Sequence, residues 1–201
     1  KHIGNPAWHP SGNYIVFQAQ NDHIGLGTIT DYFANPGSGV NNDLWVMNAN
    51  GNQLWKLVDV PNAIGGILHP HFSHSGNKLL WSQRISASGE VGTWAIKLAD
   101  FGVNNGAPSI SNIQTFQPGQ QVLFYETHGF TNDDNSIIFS GPLEAGQEFN
   151  SGDIYLLNLS TQALTNLTNT MGDWDEHAQI NPVTGKIVWM TSKGYTNSVS
   201  P

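Results

Sequence analysis

Three short segments concentrate side chains that can hold a ligand: His69-Pro70-His71, Glu126-Thr127-His128, and Trp174-Asp175-Glu176-His177-Ala178-Gln179. Residues i and i+2 of a β-strand project from the same side, so spacing pairs His69 with His71 and His177 with Gln179. Neutral imidazoles, an amide carbonyl and nearby carboxylates are nitrogen and oxygen donors suited to a divalent ion such as Mn, Zn or Ca. His69, His71, His177 and Gln179 are therefore the candidate metal set. His128, Trp174 and Glu176 are candidate ligand contacts, Trp174 as a surface on which a sugar or peptide ring can stack. Nucleophilic catalysis finds no support: there is no cysteine and no Gly-x-Ser-x-Gly elbow. Phe72-Ser73-His74-Ser75 reads as a turn, where neighbours in sequence do not form a triad. Asp173-Trp174-Asp175-Glu176 lacks the spacing of an EF-hand loop and reads as a solvated connection between strands. No catalytic residue is assigned.

The elements that must position these side chains come in repeats. Ala7 to Phe17, His71 to Trp81, Gly129 to Phe139 and Gln179 to Trp189 align without a gap. Their anchors Trp8, Phe72, Phe130 and Ile180 lie 64, 58 and 50 residues apart, and an aromatic follows each anchor nine positions later. Each copy reads as a strand, a turn rich in Ser, Asn, Asp, Gly or Pro, and a second strand of alternating apolar residues. A second hairpin follows in the first and third copies, Asp43 to Leu57 and Asp153 to Leu167. The second copy has Thr93 to Leu98, with an outer strand expected over Ile110 to Phe116. Asn132-Asp133-Asp134-Asn135 aligns with the turns and reads as turn chemistry. No helical periodicity of useful length interrupts the pattern, and four antiparallel strands per repeat is the period of a β-propeller blade.

The residues resemble TolB-type propeller repeats, a family whose blades carry Pro-x-Trp-Ser-Pro-Asp-Gly-Lys-x-Ile-x-Phe, then Asp-Ile-Tyr-x-Met-Asp and Leu-Thr. Pro6-Ala7-Trp8-His9-Pro10-Ser11-Gly12 and Phe72-Ser73-His74-Ser75-Gly76-Asn77 are similar to the first part. Asp43 to Asn48, Asp153 to Asn158 and Leu167-Thr168 are similar to the second. The resemblance implies an all-β propeller of four-stranded antiparallel blades. Three and a half blades fit in 1–201, at approximately 5–60, 67–118, 126–170 and an incomplete 176–201, so further blades are expected from the same or another chain. It also implies that first strands line a central channel, with Asn5 and Ala7, His69 and His71, Thr127 and Gly129, and His177 and Gln179 facing it. On that topology His69, His71, His177 and Gln179 approach one another. Oligogalacturonate lyases, which use this kind of propeller, hold manganese with His and Gln side chains, and His177-Ala178-Gln179 is similar in type. The same polar residues could equally line a solvated channel without any ligand. Trp8, Trp45, Trp55, Trp81, Trp94 and Trp189 fall at blade-core positions and are expected to pack between sheets.

Composition narrows the function classes. With 7 Lys+Arg against 15 Asp+Glu the formal net charge is −8, which excludes nucleic acid as a default partner. The hydrophobic share of 38% is enough for a sizeable core, and no apolar run approaches a membrane span. The 22 Asn beside 22 Gly, with few Lys and Arg, favour an extracytoplasmic (periplasmic or secreted) protein. The long loop Gly25 to Asn42, with Tyr32 and Phe33, is a further place for binding. The expectation is a propeller module that binds a protein or carbohydrate partner. A metal-dependent polysaccharide lyase or related carbohydrate enzyme, and a structural subunit of an extracellular assembly, are the alternatives.

Overall fold

A computed structural model describes residues 1–22, 35, 37–61, 63–88, 91–121 and 123–195 of the chain. Every regular element among them is a β-strand. The first sheet joins β1 (Ile3–Trp8), β2 (Tyr14–Gln20), β3 (Asn42–Asn48) and β4 (Leu54–Val58). The second joins β5 (Gly66–Phe72), β6 (Lys78–Ser86), β7 (Thr93–Asn104) and β8 (Ala107–Phe116). The third joins β9 (Glu126–Phe130), β10 (Ser136–Gly141), β11 (Asp153–Asn158) and β12 (Leu164–Asn166), and a two-stranded sheet of β13 (Asp175–Ile180) and β14 (Ile187–Thr191) follows. All pairs are antiparallel and each sheet is an up-and-down meander. The sheets do not close into a ring, which is the arrangement of a partial propeller.

The cores lie between sheets rather than within one. Val16, Leu44 and Val46 of the first sheet meet Ile67, Leu79, Trp81 and Phe101 of the second. Leu68, Leu80, Trp94 and Ile96 meet Phe130, Ile137, Phe139 and Tyr155 of the third. A smaller cluster of Ile138, Ile154 and Ala178 joins the third sheet to the last. Alternation explains this: one strand supplies apolar side chains to both of its faces, as a sheet packed between two others requires. Trp81 and Trp94 are fully buried as expected. Trp8 (60% exposed) and Trp189 (43% exposed) are not, because each belongs to a sheet that has a neighbouring sheet on one side only among the described residues.

The turns tie neighbouring sheets together. His9 Nε2 lies 2.9 Å from the Gly76 carbonyl oxygen, and the Asn132 amide donates to the Pro182 carbonyl. Asp134 accepts from the backbone N–H groups of His74 (2.8 Å) and Ser75 (2.9 Å). Its neighbour Asp133 closes the expected Asx turn, accepting from the Asn135 N–H and from Thr131 Oγ1. Residues Tyr32 and Phe33, together with most of the Gly25 to Asn42 loop, lie outside the described residues.

Candidate functional site

The first strands β1, β5, β9 and β13 lie side by side around the inner edge, and each carries a bulge at the same place. In β5 the register shifts between Leu68 and His71, with His69 at φ +47°; in β1 and β13 Asn5 and His177 adopt φ +50° and +53°. In β9 the shift leaves His128 without a partner on β10, and Gly129 takes φ +119°, a conformation open to glycine. A bulge interrupts period-2 alternation, so the side chains brought together differ from those that spacing pairs.

His69, His128 and His177, from three successive sheets, present ring nitrogens that all lie within 4.8 Å of one another. Their ring centroids are 5.6 to 6.1 Å apart. Glu126, Glu176 and His177 form an overlapping group of the same tightness. His71 stands behind this cluster, its Nε2 3.1 Å from the Thr127 carbonyl oxygen, and is not one of its donors; Gln179 is exposed. The structure thus gathers His69 and His177 with His128 rather than with His71. Asp175 and Glu176 are not a solvated connection either. Asp175 is buried, accepting from Thr170 Oγ1 at 2.8 Å and Trp189 Nε1 at 3.3 Å, and Glu176 belongs to the cluster.

One nitrogen of each imidazole already has a partner. His69 Nδ1 is 3.2 Å from Glu126 Oε1, His128 Nε2 is 2.9 Å from Ser140 Oγ, and His177 Nε2 is 3.4 Å from Glu176 Oε1. The second nitrogen of each ring has no protein partner among the described residues, which is the arrangement that fixes a tautomer and offers a lone pair. Burial, with His71 and His177 nearby, pushes the His69 pKa down to about 3; burial pushes His71 down to about 4, against the Thr127 carbonyl. His128 is held well below its ordinary value by burial and by the three other imidazoles. His69, His71 and His128 are therefore neutral at physiological pH, the form in which histidine ligates. Glu126 and Glu176 are both raised, chiefly by burial, and they share a hydrogen bond.

Neighbouring groups hold the strands in place. Thr127 Oγ1 donates to the His69 carbonyl at 2.7 Å, and Gln18 Oε1 accepts from the His69 N–H at 3.1 Å. Asp153 fixes the entry to β13: it accepts from the Thr170 N–H (2.8 Å), Thr170 Oγ1, Thr168 Oγ1, Asn166 Nδ2 and Gln147 Nε2. His69, Glu126, Glu176 and His177 line a cleft of about 920 Å³ walled by Trp94, Phe124, Phe149 and Trp174. Trp174 also borders a second cavity of about 570 Å³ beside Tyr195.

No protein-family model matches the chain, and no curated protein matches it. Solved structures do. TolB from Acinetobacter baumannii superposes with a TM-score of 0.55 at 16% identity, over 93% of this chain and 37% of its own. A structure ascribed to TolB from Agrobacterium tumefaciens gives 0.60 at 18% identity, over 94% of this chain and 54% of its own. A puromycin hydrolase structure gives 0.52 at 12% identity, over 93% and 30%. The chain thus spans about half or less of the length of these structures. It has a TolB-like β-propeller fold, and no helix among the described residues is long and apolar enough to cross a membrane.

Proposed function

We propose that the chain is a ligand-binding module of a TolB-like propeller in which a divalent transition-metal ion, held by His69, His128 and His177, anchors an organic ligand in the cleft. The observation that carries this is the convergence of three imidazoles, each from a different sheet, with ring nitrogens within 4.8 Å of one another. Tetrahedral ligands at 2.0–2.1 Å from zinc are about 3.4 Å apart, so the rings need to close by little more than an ångström. His177, with its side chain 45% exposed, is the ring with room to move. Imidazole donors favour zinc among the ions considered, with Glu176 in reach as an oxygen ligand and manganese next. Trp174, bordering both cavities, is the surface on which a carbohydrate or peptide ligand would lie. An extracytoplasmic location fits the Asn-rich, Lys- and Arg-poor composition.

A metal-dependent carbohydrate enzyme is the second reading. Its support is the Glu126–Glu176 pair beside the imidazoles, since two carboxyls that share a hydrogen bond can hold and release a proton. The test is metal analysis and zinc titration of chelator-treated protein. One equivalent bound, and lost in His128→Ala and His177→Ala with the fold intact, is the expected result. Absence of stoichiometric zinc or manganese binding by the unsubstituted chain would sink the metal reading.

A further inference from the structure

Arg84 on β6 borders the same cleft and is 8% exposed. A buried guanidinium is costly without a counter-charge. Its Nε donates to the Val91 carbonyl at 3.2 Å, and Nη1 donates to the carbonyls of Ala63 and Ile64, each at 3.2 Å. These acceptors are neutral. Among the described residues no carboxylate lies within ion-pair distance of Arg84, and its second amino group, Nη2, has no acceptor. Space is kept for the guanidinium: a Cβ on Gly92, which sits at φ +83°, would run into Arg84 Nε and Ser86 O.

The surroundings add an apolar wall. Trp94 Nε1 donates to the same Val91 carbonyl at 3.1 Å, which sets the indole beside the guanidinium. Phe124 packs edge-on against Trp94 at 5.3 Å between centroids, and Phe149 against Phe124 at 5.1 Å. A fixed cation with unused N–H groups at one end of an aromatic wall is complementary to a planar anion attached to an apolar or ring body. The chain as a whole is acidic at −8, so a cation with no carboxylate partner among the described residues stands against the general charge of the protein.

We infer that the cleft selects an organic carboxylate, its anionic end on the free amino group of Arg84 and its ring or apolar body against Phe124 and Phe149. This deepens the ligand-binding reading of the cleft and rests on it. The test uses benzoate, its neutral isostere benzamide, and phenyl phosphate, titrated against the unsubstituted chain and followed by tryptophan fluorescence and calorimetry. Benzoate is expected to bind at least tenfold more tightly than benzamide, with an advantage that shrinks as salt is raised and is erased in Arg84→Gln. Gly92→Ala, which displaces the guanidinium without removing it, should erase the same advantage and serves if Arg84→Gln does not fold. Equal binding of benzoate and benzamide would overturn the inference, and tighter binding of phenyl phosphate would overturn the assignment to a carboxylate. Zinc titration of the same samples keeps the two proposals apart. Zinc binding without benzoate preference sinks this one alone, and benzoate preference without zinc binding sinks only the metal.

Discussion

Nδ1 of His69 lies 3.2 Å from Oε1 of Glu126, across the boundary between the second and third sheets. A carboxylate on one imidazole nitrogen orients the ring and makes the other nitrogen a better donor. Glu126→Gln is expected to weaken zinc binding by about 10-fold or more. It should not lower stability, because it removes an ionisable group whose charged form burial disfavours and keeps a carbonyl oxygen in its place. Calorimetric titration and a denaturant melt on the same variant check both halves. A destabilised variant with unchanged zinc affinity would mean that Glu126 serves the fold alone.

His69 and His177 could be placed at the inner edge from the repeat, and the architecture follows from the same spacing and turns. Their partner could not be chosen that way. Strict alternation makes His71 the companion of His69, whereas the bulges at His69, His128 and His177 bring His128 to it instead. The signal for a bulge was faint: a proline after Asn5 and after His69, and Gly129 after His128. Arg84 carried no signal, because its partners are main-chain carbonyls of residues remote in sequence.

Asp153 makes stability depend on acid. Burial alone would raise its pKa, but the Thr170 N–H and the side chains of Asn166, Thr168 and Gln147 hold it below the ordinary value. A carboxyl lowered in the folded state stabilises fully above the unfolded pKa of about 3.9, and that contribution is lost as pH falls through the folded value. Asp153→Asn is expected to cost about 2 kcal/mol at pH 7 and to flatten the fall in stability below about pH 4. Melts at pH 7, 5, 4 and 3 measure both; parallel curves for the two proteins would show that Asp153 does not control the acid limb.

Asp134 occupies a left-handed turn position, φ +56°, where the first two repeats have Gly12 and Gly76. Its carboxylate accepts from two N–H groups of the neighbouring turn, which offsets the backbone strain. Asp134→Ala keeps the strain and loses the bonds, and should cost about 2 kcal/mol. Asp134→Gly loses the bonds but relieves the strain, and should cost about 1 kcal/mol less than the alanine. Equal losses in denaturant melts would show that strain is not stored there.

Trp81 and Trp189 occupy the same place in their repeats, nine residues after the anchor, yet Trp81 is 0% exposed and Trp189 is 43% exposed. Trp81 is enclosed by Val16, Leu44 and Val46 of the sheet on one side. Trp189 keeps one specific contact, from its Nε1 to Asp175 Oδ1 at 3.3 Å, and its outer face meets solvent. Trp81→Ala should therefore cost about 3–5 kcal/mol, and Trp189→Ala in this chain about 1 kcal/mol, mostly from that hydrogen bond. The difference is one of neighbours rather than of residue type. Adding a polypeptide that covers the β13–β14 sheet with a further blade should bring the cost at Trp189 toward that at Trp81. Unfolding free energies of both variants, measured with and without such an extension, decide this. A Trp189→Ala cost that stays near 1 kcal/mol with the extension folded in place would mean that this face is not a blade-to-blade surface.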